Sequence, residues 1–507
     1  MPVKPGAGIV MSNAYATDVN SPDTTAPVTA AVLNEDWLAV ILGLAIFILA
    51  LSAVANIDLL GWVVSTSVWG DVSNAISPVS KNYASLGGVG ALLATYVGLT
   101  LALSAGVAAL KADVKKFALA FTAVFWLAYA GWFLGNYANF AAATPAEFQK
   151  FGITWSLRLT NEGAFIFALV LGLIIANVFP RFAAAIREAV RPELYIKIAI
   201  VILGGVIAVT VAGRLSFATA VIVRGIAAIV EAYLIYWAVV YFIARKWFGF
   251  PREWAVPLAS GISICGISAA IATGGAIRAR PVVPILVSSL VLVFSVVELL
   301  ILPFVAQGFL SHEPLVAGAW MGLAVKTDGA AVAAGGITDA LILAKNAAEG
   351  VHYQPGWILG TAAVIKVFID IFIGVWAFVL GYIWTNHINV TRDADKAKAS
   401  EIWQRFPKFI IGFVITFAVG LYFALGTPAD VAKSVPGAIA EANSLRLIFF
   451  VLTFFSIGVL SDFRLLWREG FGKLVAVYVV SLFGFVIWVG LLISWIFFHG
   501  VTPPLAS

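Results

Sequence analysis

Cysteine is almost missing from this chain: Cys265 is the only one in 507 residues. One thiol excludes a disulfide framework and any multi-thiolate metal site. Histidine is scarce too. His312, His352, His387 and His499 are too far apart to form a helical ligand pair, which argues against a membrane zinc hydrolase. Charge is the third shortage, at 11% Asp, Glu, Lys and Arg, where a soluble protein carries about 25%. What fills the space is apolar: 62% hydrophobic residues and 17 tryptophans, with a mean hydropathy of +1.01. Water is the wrong solvent for most of this chain, so it reads as a polytopic membrane protein. Its net charge of +5 comes from basic residues in short loops between apolar runs. That is the footprint of membrane orientation rather than of nucleic-acid binding.

A span needs about 20 apolar residues to cross about 30 Å of hydrocarbon. Continuous candidates lie near 38–55, 87–110, 116–135, 163–179, 195–213, 217–244, 281–305, 357–384, 407–425, 445–461 and 472–498. Two more segments, 255–276 and 316–337, have the length but are rich in Gly, Ser and Thr. The expected fold class is an all-α polytopic membrane protein with about 11–13 transmembrane segments, containing inverted repeats and two broken or re-entrant glycine-rich segments. Four regions follow: a disordered cytoplasmic tail at 1–35, a three-helix N-terminal extension at 36–160, and transporter repeat regions at 161–306 and 307–507.

Lysine and arginine placement orients the chain. Lys111, Lys115 and Lys116, then Arg181, Arg187 and Arg191, then Arg245, Lys246 and Arg252 fall on one side, as do the basic loops at 392–408 and 464–473. The loops at 57–86, 136–160 and 426–444 carry few basic residues. The N-terminus is then cytoplasmic and the C-terminus outside, in a multi-pass protein of a bacterial inner membrane.

The two glycine-rich segments resemble each other. Ala269-Ala270-Ile271-Ala272-Thr273-Gly274-Gly275 recurs as Ala330-Ala331-Val332-Ala333-Ala334-Gly335-Gly336, one ordinary span later. Paired, interrupted apolar segments point to a transporter built from repeats. If both re-enter, Arg278 and Arg280 stay on the basic side, and the entry directions are opposite. Small-residue helix packing is the plainer explanation for such segments, and it is the one that fits Gly131/Gly135 and Gly318/Gly322.

Within 261–268, Ser263, Cys265, Gly266 and Ser268 break an apolar window. Glycine permits unwinding, and a half-helix N-terminus then offers N–H groups to an anion. The second segment carries Lys326, Thr327, Asp328 and Gly329 at the expected bilayer midplane, where charge needs a partner, a cavity or a substrate. Lys326 would neutralise an anion, and Asp328 would be the coupling or gating acid. If these two pair directly, the helix is broken at Gly329; otherwise each has another partner. Lys366 and Asp370, four apart, share a helical face and can pair. Arg224 and Glu231 share another face, and Glu231 is a candidate proton carrier. Glu298, near Pro303, is expected to snorkel to the interface. Asn161-Glu162 suit the N-terminus of the span that follows them.

The run from Ser260 through Gly261-Ile262-Ser263-Ile264-Cys265-Gly266-Ile267-Ser268 to Ala269, followed by a span to Pro303, resembles the YeiH-type sulfate exporter family. Leu171-Gly172 to Asn177 with Pro180, the Gly318-to-Gly335 segment, the span holding Lys366 and the Ile457-to-Arg464 ending add to the likeness over about 160–498. The resemblance places the chain with cation/proton antiporter-like and bile-acid-symporter-like folds. It implies inverted repeats, broken helices at a central site, and a core moving against a scaffold. The chain departs from that pattern at Lys326 and Thr327, where shorter members carry a His-Glu pair; here the acid stands at Asp328.

The function expected is secondary transport of a small anion, sulfate or an organosulfonate, by alternating access with proton or sodium coupling. The alternative is a cation/proton antiporter using Asp328, Asp370 and Glu231. An enzyme is not expected, because no catalytic carboxylate pair, nucleophile–base spacing or metal-ligand set stands out. No cofactor is expected beyond a coupling H+ or Na+. The expected partners are a small inorganic or organic anion, the bilayer and a second copy in a homodimer, with no nucleic acid.

Overall fold

Hydrocarbon offers the backbone no hydrogen-bond partner, so long apolar runs must become helices. The computed structural model describes residues 34–143, 145–160, 164–389, 397–464 and 472–506, and consists almost wholly of helices. Residues 1–33 of the tail expected at 1–35, and the Asn161-Glu162 opening, lie outside these residues.

In chain order the main helices are α1 Glu35–Leu51, α2 Gly87–Ala109, α3 Val114–Gly135, α4 Phe165–Val178 and α5 Pro192–Ala212. They continue as α6 Leu215–Trp247, α7 Arg252–Ser263, α8 Gly266–Ala276, α9 Val282–Phe309, α10 Pro314–Ala324 and α11 Asp328–Ala348. The last four are α12 Trp357–Ile388, α13 Phe409–Leu425, α14 Ala429–Leu460 and α15 Gly472–Phe498. Among the described residues, nine helices are long and apolar enough to cross a membrane, and α4 and α13 are shorter apolar ones. Lipid-facing character shows on the outer surface, where Leu101 and Leu119 are 66% and 67% exposed.

Two details differ from the sequence reading. The connection at 57–86 includes a small antiparallel ribbon, β1 Val64–Thr66 with β2 Ile76–Pro78. The helix expected at 445–461 begins sixteen residues earlier, at Ala429, because Pro436 is tolerated inside it.

The two glycine-rich segments are re-entrant. Glu253, at the start of α7, accepts hydrogen bonds from the Arg280 backbone N–H (2.8 Å) and Nε (2.9 Å), just past the end of α8. The α7–α8 hairpin therefore enters and leaves at one end of the molecule, the basic end, where Arg278 also pairs with Glu401 at 3.3 Å. Helix α9 then runs the length of the body. At its far end, Asn346 Nδ2 near the end of α11 donates to the Ser311 carbonyl (2.8 Å) just before α10. His499 Nδ1 lies 2.8 Å from Glu313 Oε1 there, so the chain's C-terminal end shares that level. The hairpins α7–α8 and α10–α11 enter from opposite ends, the arrangement that the positions of Arg278 and Arg280 favoured.

The start of α1 is held to the start of α5 at the basic end. Arg191 pairs with Glu35 at 2.7 Å, and Lys197 of α5 pairs with Asp36 of α1 at 2.8 Å. Small residues set the close contacts. A Cβ at Gly131 would stand 2.8 Å from the Ala168 Cα, and one at Gly135 would stand 2.7 Å from the Ala164 carbonyl oxygen. At Gly318 and Gly322 it would meet the Ile358 and Ala362 carbonyl oxygens at 2.6 and 2.8 Å. Backbone cannot yield as a flexible side chain can, so Gly318→Val is expected to push α10 off α12. The predicted cost is about 1–3 kcal/mol of stability, read as a lower unfolding midpoint in detergent; an unchanged midpoint would contradict the contact.

Candidate functional site

Both hairpins turn at non-helical residues. In the first, α7 ends at Ser263, Ile264 adopts φ −112° and ψ −95°, and α8 restarts at Gly266. Gly266 has a φ of +31°, and a Cβ there would lie 2.6 Å from Val291 Cγ1. Glycine is required on both counts. In the second, Val325 is extended at ψ 127°, and Thr327 caps α11 by accepting from the Ala330 N–H at 3.3 Å. The break thus lies at 325–327, ahead of Gly329, which stays helical and packs on Ile196 and Thr453. The two turns touch: the Gly266 Cβ position is 3.1 Å from Thr327 Cγ2 and 3.2 Å from the Lys326 carbonyl oxygen. The N-terminal ends of α8 and α11 therefore meet. The repeated Ala/Gly motif lies just past the break in each hairpin, four residues after Cys265 in one and three after Thr327 in the other.

Unwound turns leave carbonyls without partners. Lys366 of α12 supplies one: its ammonium donates to the Ile264 carbonyl at 2.7 Å and to the Lys326 carbonyl at 3.2 Å. A single side chain thus bridges both breaks. Its ion-pair partner is Asp328, at 3.7 Å, with both side chains 2–3% exposed. Asp370, four residues along the same helix, also acts on the Lys366 ammonium as a neighbouring charge, and the hairpin break adds Asp328 to the same face. One ligand atom each from Cys265, Asp328 and Asp370 lies within 4.8 Å of the others. These three are the residues here that could hold a small cation, and the Lys366 ammonium is the positive charge standing beside them.

Lys326 turns the other way. Its backbone N–H donates to Glu298 Oε2 at 2.9 Å, its ammonium donates to the Leu323 carbonyl, and it stands 4.9 Å from the centre of the Tyr236 ring. Lys326 and Asp328 do not pair with each other. A cation over a ring face is held electrostatically, about 2 kcal/mol when desolvated. Glu231 is fully buried and neither of its carboxylate oxygens has a hydrogen-bond partner; Lys326 is a charged neighbour. The α-helical run is interrupted at Ile226, between Arg224 and Glu231, and the two form no ion pair among the described residues; a π-helical turn follows at Glu231–Tyr236. Another π turn, Leu482–Val486, frees carbonyls in α15. Tyr236 Oη donates to the Val486 carbonyl and Trp320 Nε1 to that of Ile487, each at 2.9 Å.

Cys265, Gly266, Lys326, Thr327, Asp328, Lys366 and Asp370 thus converge, with Glu231 on the Lys326 flank. Ser263 ends α7 with a buried hydroxyl that has no partner, and Ser268 is half-buried on α8. The sequence reading misplaced Glu298. It is 1% exposed rather than interfacial, and holds the Lys326 amide while Tyr478 Oη donates to its other oxygen at 3.4 Å. The error came from ending the span at Pro303. Helix α9 runs through that proline to Phe309, leaving Glu298 about 16 Å from the end at 1.5 Å per residue, well inside the helix.

Residues 100–477 match the family described as Conserved hypothetical protein 698. A UPF0324 membrane protein of Nitrosomonas europaea is 39% identical over 482 residues, 93% of this chain and 97% of that protein. A UPF0324 membrane protein of Rhodopirellula baltica is 31% identical over 326 residues, 62% of this chain and 54% of that one. An uncharacterized protein of Archaeoglobus fulgidus is 48% identical over 186 residues, 32% of this chain and 97% of its own length. No solved structure matches. With most of its length matched by the family and by a relative of nearly equal extent, this chain belongs to the Conserved hypothetical protein 698 family, the UPF0324 (YeiH) membrane proteins.

Proposed function

We propose that this chain is a secondary transporter carrying a small anion together with protons, and that the meeting point of the two re-entrant hairpins is its site. The observation that carries the reading is the Lys366 ammonium bonded to both breaks at once. Any motion of one hairpin against the other must break or remake those bonds, so occupancy and motion are linked at one residue. Hairpins entering from opposite ends are the architecture on which alternating access is built.

Charge supports an anion with protons. Lys326 and Lys366 are buried among Glu231, Glu298, Asp328 and Asp370, each 2% exposed or less. Acids outnumber lysines by two, and uncompensated charge in such a place is costly. Protons on the acids leave the two lysines and the meeting N-termini of α8 and α11 to receive a divalent oxyanion such as sulfate or an organosulfonate group. Ser263, Cys265, Gly266, Ser268, Thr327 and Gly329 would line its path, with Asp328 the coupling acid. The basic end faces the cytoplasm in this reading, which places the N-terminus inside a bacterial inner membrane. Residues 36–160 form the extension, and 161–306 and 307–507 the two repeat regions.

The test is transport in proteoliposomes with a trapped pH dye. Sulfate or a sulfonate added outside is expected to carry protons inward, acidifying the lumen, with no sodium requirement. A response to sodium without any anion would sink this reading in favour of cation/proton exchange. The cluster of Cys265, Asp328 and Asp370 within 4.8 Å is the observation behind that second possibility.

A further inference from the structure

Far from the hairpin turns, a cavity of about 420 Å3 opens between the extension and α14. Asn56, Asp58, Ser80 and Asn82 line it from the connection after α1, and Ser434 and Glu441 line it from α14. Asp58 is built into place. Its Oδ1 accepts from the Gly61 N–H at 2.7 Å, its Oδ2 from Asn82 Nδ2 at 2.9 Å, and its carbonyl from Tyr83 Oη at 2.8 Å. Residue 61 must be glycine for this, since a Cβ would stand 2.3 Å from Asp58 Oδ1. Across the cavity, Glu441 is only 5% exposed, and its Oε2 has no hydrogen-bond partner.

A buried carboxylate facing a second carboxylate costs several kcal/mol unless a proton or a cation joins them, and a cation joins them without removing either charge. No basic side chain lines the cavity among the described residues. The donors on offer are carboxylate, amide and hydroxyl oxygens, a hard set that suits Mg2+ or Ca2+ rather than a thiophilic metal. Size narrows the choice. A water molecule occupies about 30 Å3 in the liquid, so the space is far too large for a bare ion and large enough for one with its hydration shell. Mg2+ dehydrates reluctantly and is commonly held through one or two carboxylates. Among the described residues no aromatic ring lines the cavity, which removes the usual means of holding an organic ammonium.

We propose that Asp58 and Glu441 bind a hydrated divalent cation of the Mg2+ type. The ion ties the extension to α14, the helix whose Thr453 packs on Gly329 beside the second break. This site stands apart from whatever the hairpin turns carry.

The full-length protein in detergent tests it in two ways. At constant ionic strength, titrating MgCl2 to about 10 mM is expected to raise the unfolding midpoint saturably, on the order of 2–4 °C. Mn2+, counted by its electron paramagnetic signal, is expected to bind at about one per chain and to be displaced by Mg2+. Glu441→Gln keeps the side-chain shape and is expected to lose both effects. Absence of saturable binding in the unaltered protein overturns the proposal, and so does full Mn2+ binding by the Glu441→Gln protein. A midpoint rise with putrescine but not with Mg2+ overturns it as well, by making the site one for organic amines.

Discussion

Lys366→Met is expected to abolish transport and to cost about 3–5 kcal/mol of stability, the penalty for removing one partner of a buried ion pair. Methionine fills similar space without an ammonium. The Ile264 and Lys326 carbonyls would lose their donor, and Asp328 would lose the cation 3.7 Å away. Orphaned carbonyls cost more here than at a surface, because the turns are buried in protein away from water. Lys366→Arg separates charge from geometry. A planar guanidinium keeps the charge but spreads its donors in a fixed fork, so stability should recover more fully than transport. Adding Asp328→Asn to Lys366→Met should return part of the lost stability, since the stranded carboxylate is then neutral. Urea or thermal unfolding in detergent, alongside sulfate flux, measures all of these. A Lys366→Met protein with unchanged midpoint and flux would mean that the ammonium bridges nothing of consequence.

Asp328→Asn should cut transport about tenfold or more and leave the residual rate flat across the pH range in which the unaltered protein responds. A unit charge about 4 Å from another is worth about 4 kcal/mol at an effective dielectric of 20, and 1.4 kcal/mol already changes a rate tenfold. Asparagine keeps the shape at the first turn of α11, and Thr327 still caps that helix, so the hairpin should remain folded. Flux as a function of pH, on protein whose unfolding midpoint is unchanged, isolates the loss of the titrating group. Retained pH dependence at full rate would remove Asp328 from coupling and move the role to Asp370 or Glu231.

Some of this site was readable before folding was considered. A lysine or an aspartate inside an apolar window is costly in hydrocarbon, so Lys326, Asp328, Lys366, Asp370 and Glu231 stood out without any knowledge of their neighbours. Small residues were legible for a similar reason: Gly131, Gly135, Gly318 and Gly322 have no plausible use in a lipid-facing helix except close approach. Partnerships were not legible. Spacing of four on one helix favoured Lys366 with Asp370, yet the ion pair at 3.7 Å is with Asp328 of the second hairpin, 38 residues away in sequence. Glu298 was misjudged because a proline usually ends a helix, and here buried neighbours carry α9 through it.

By itself, the sequence determined the solvent, the number and order of apolar helices, and the two places where a span is interrupted. Each of these follows from local composition: apolar length against bilayer thickness, and glycine or charge where a continuous helix would be penalised. The position of Arg280 even carried the direction of re-entry, since a basic residue stays on its own side. Only the tertiary structure decided that the two breaks meet, that Lys366 joins them, and that Lys326 belongs with Tyr236 and Glu298 while Asp328 belongs with Lys366. A buried charge demands a partner, but which partner it finds depends on how helices distant in sequence are packed, and no local pattern records that.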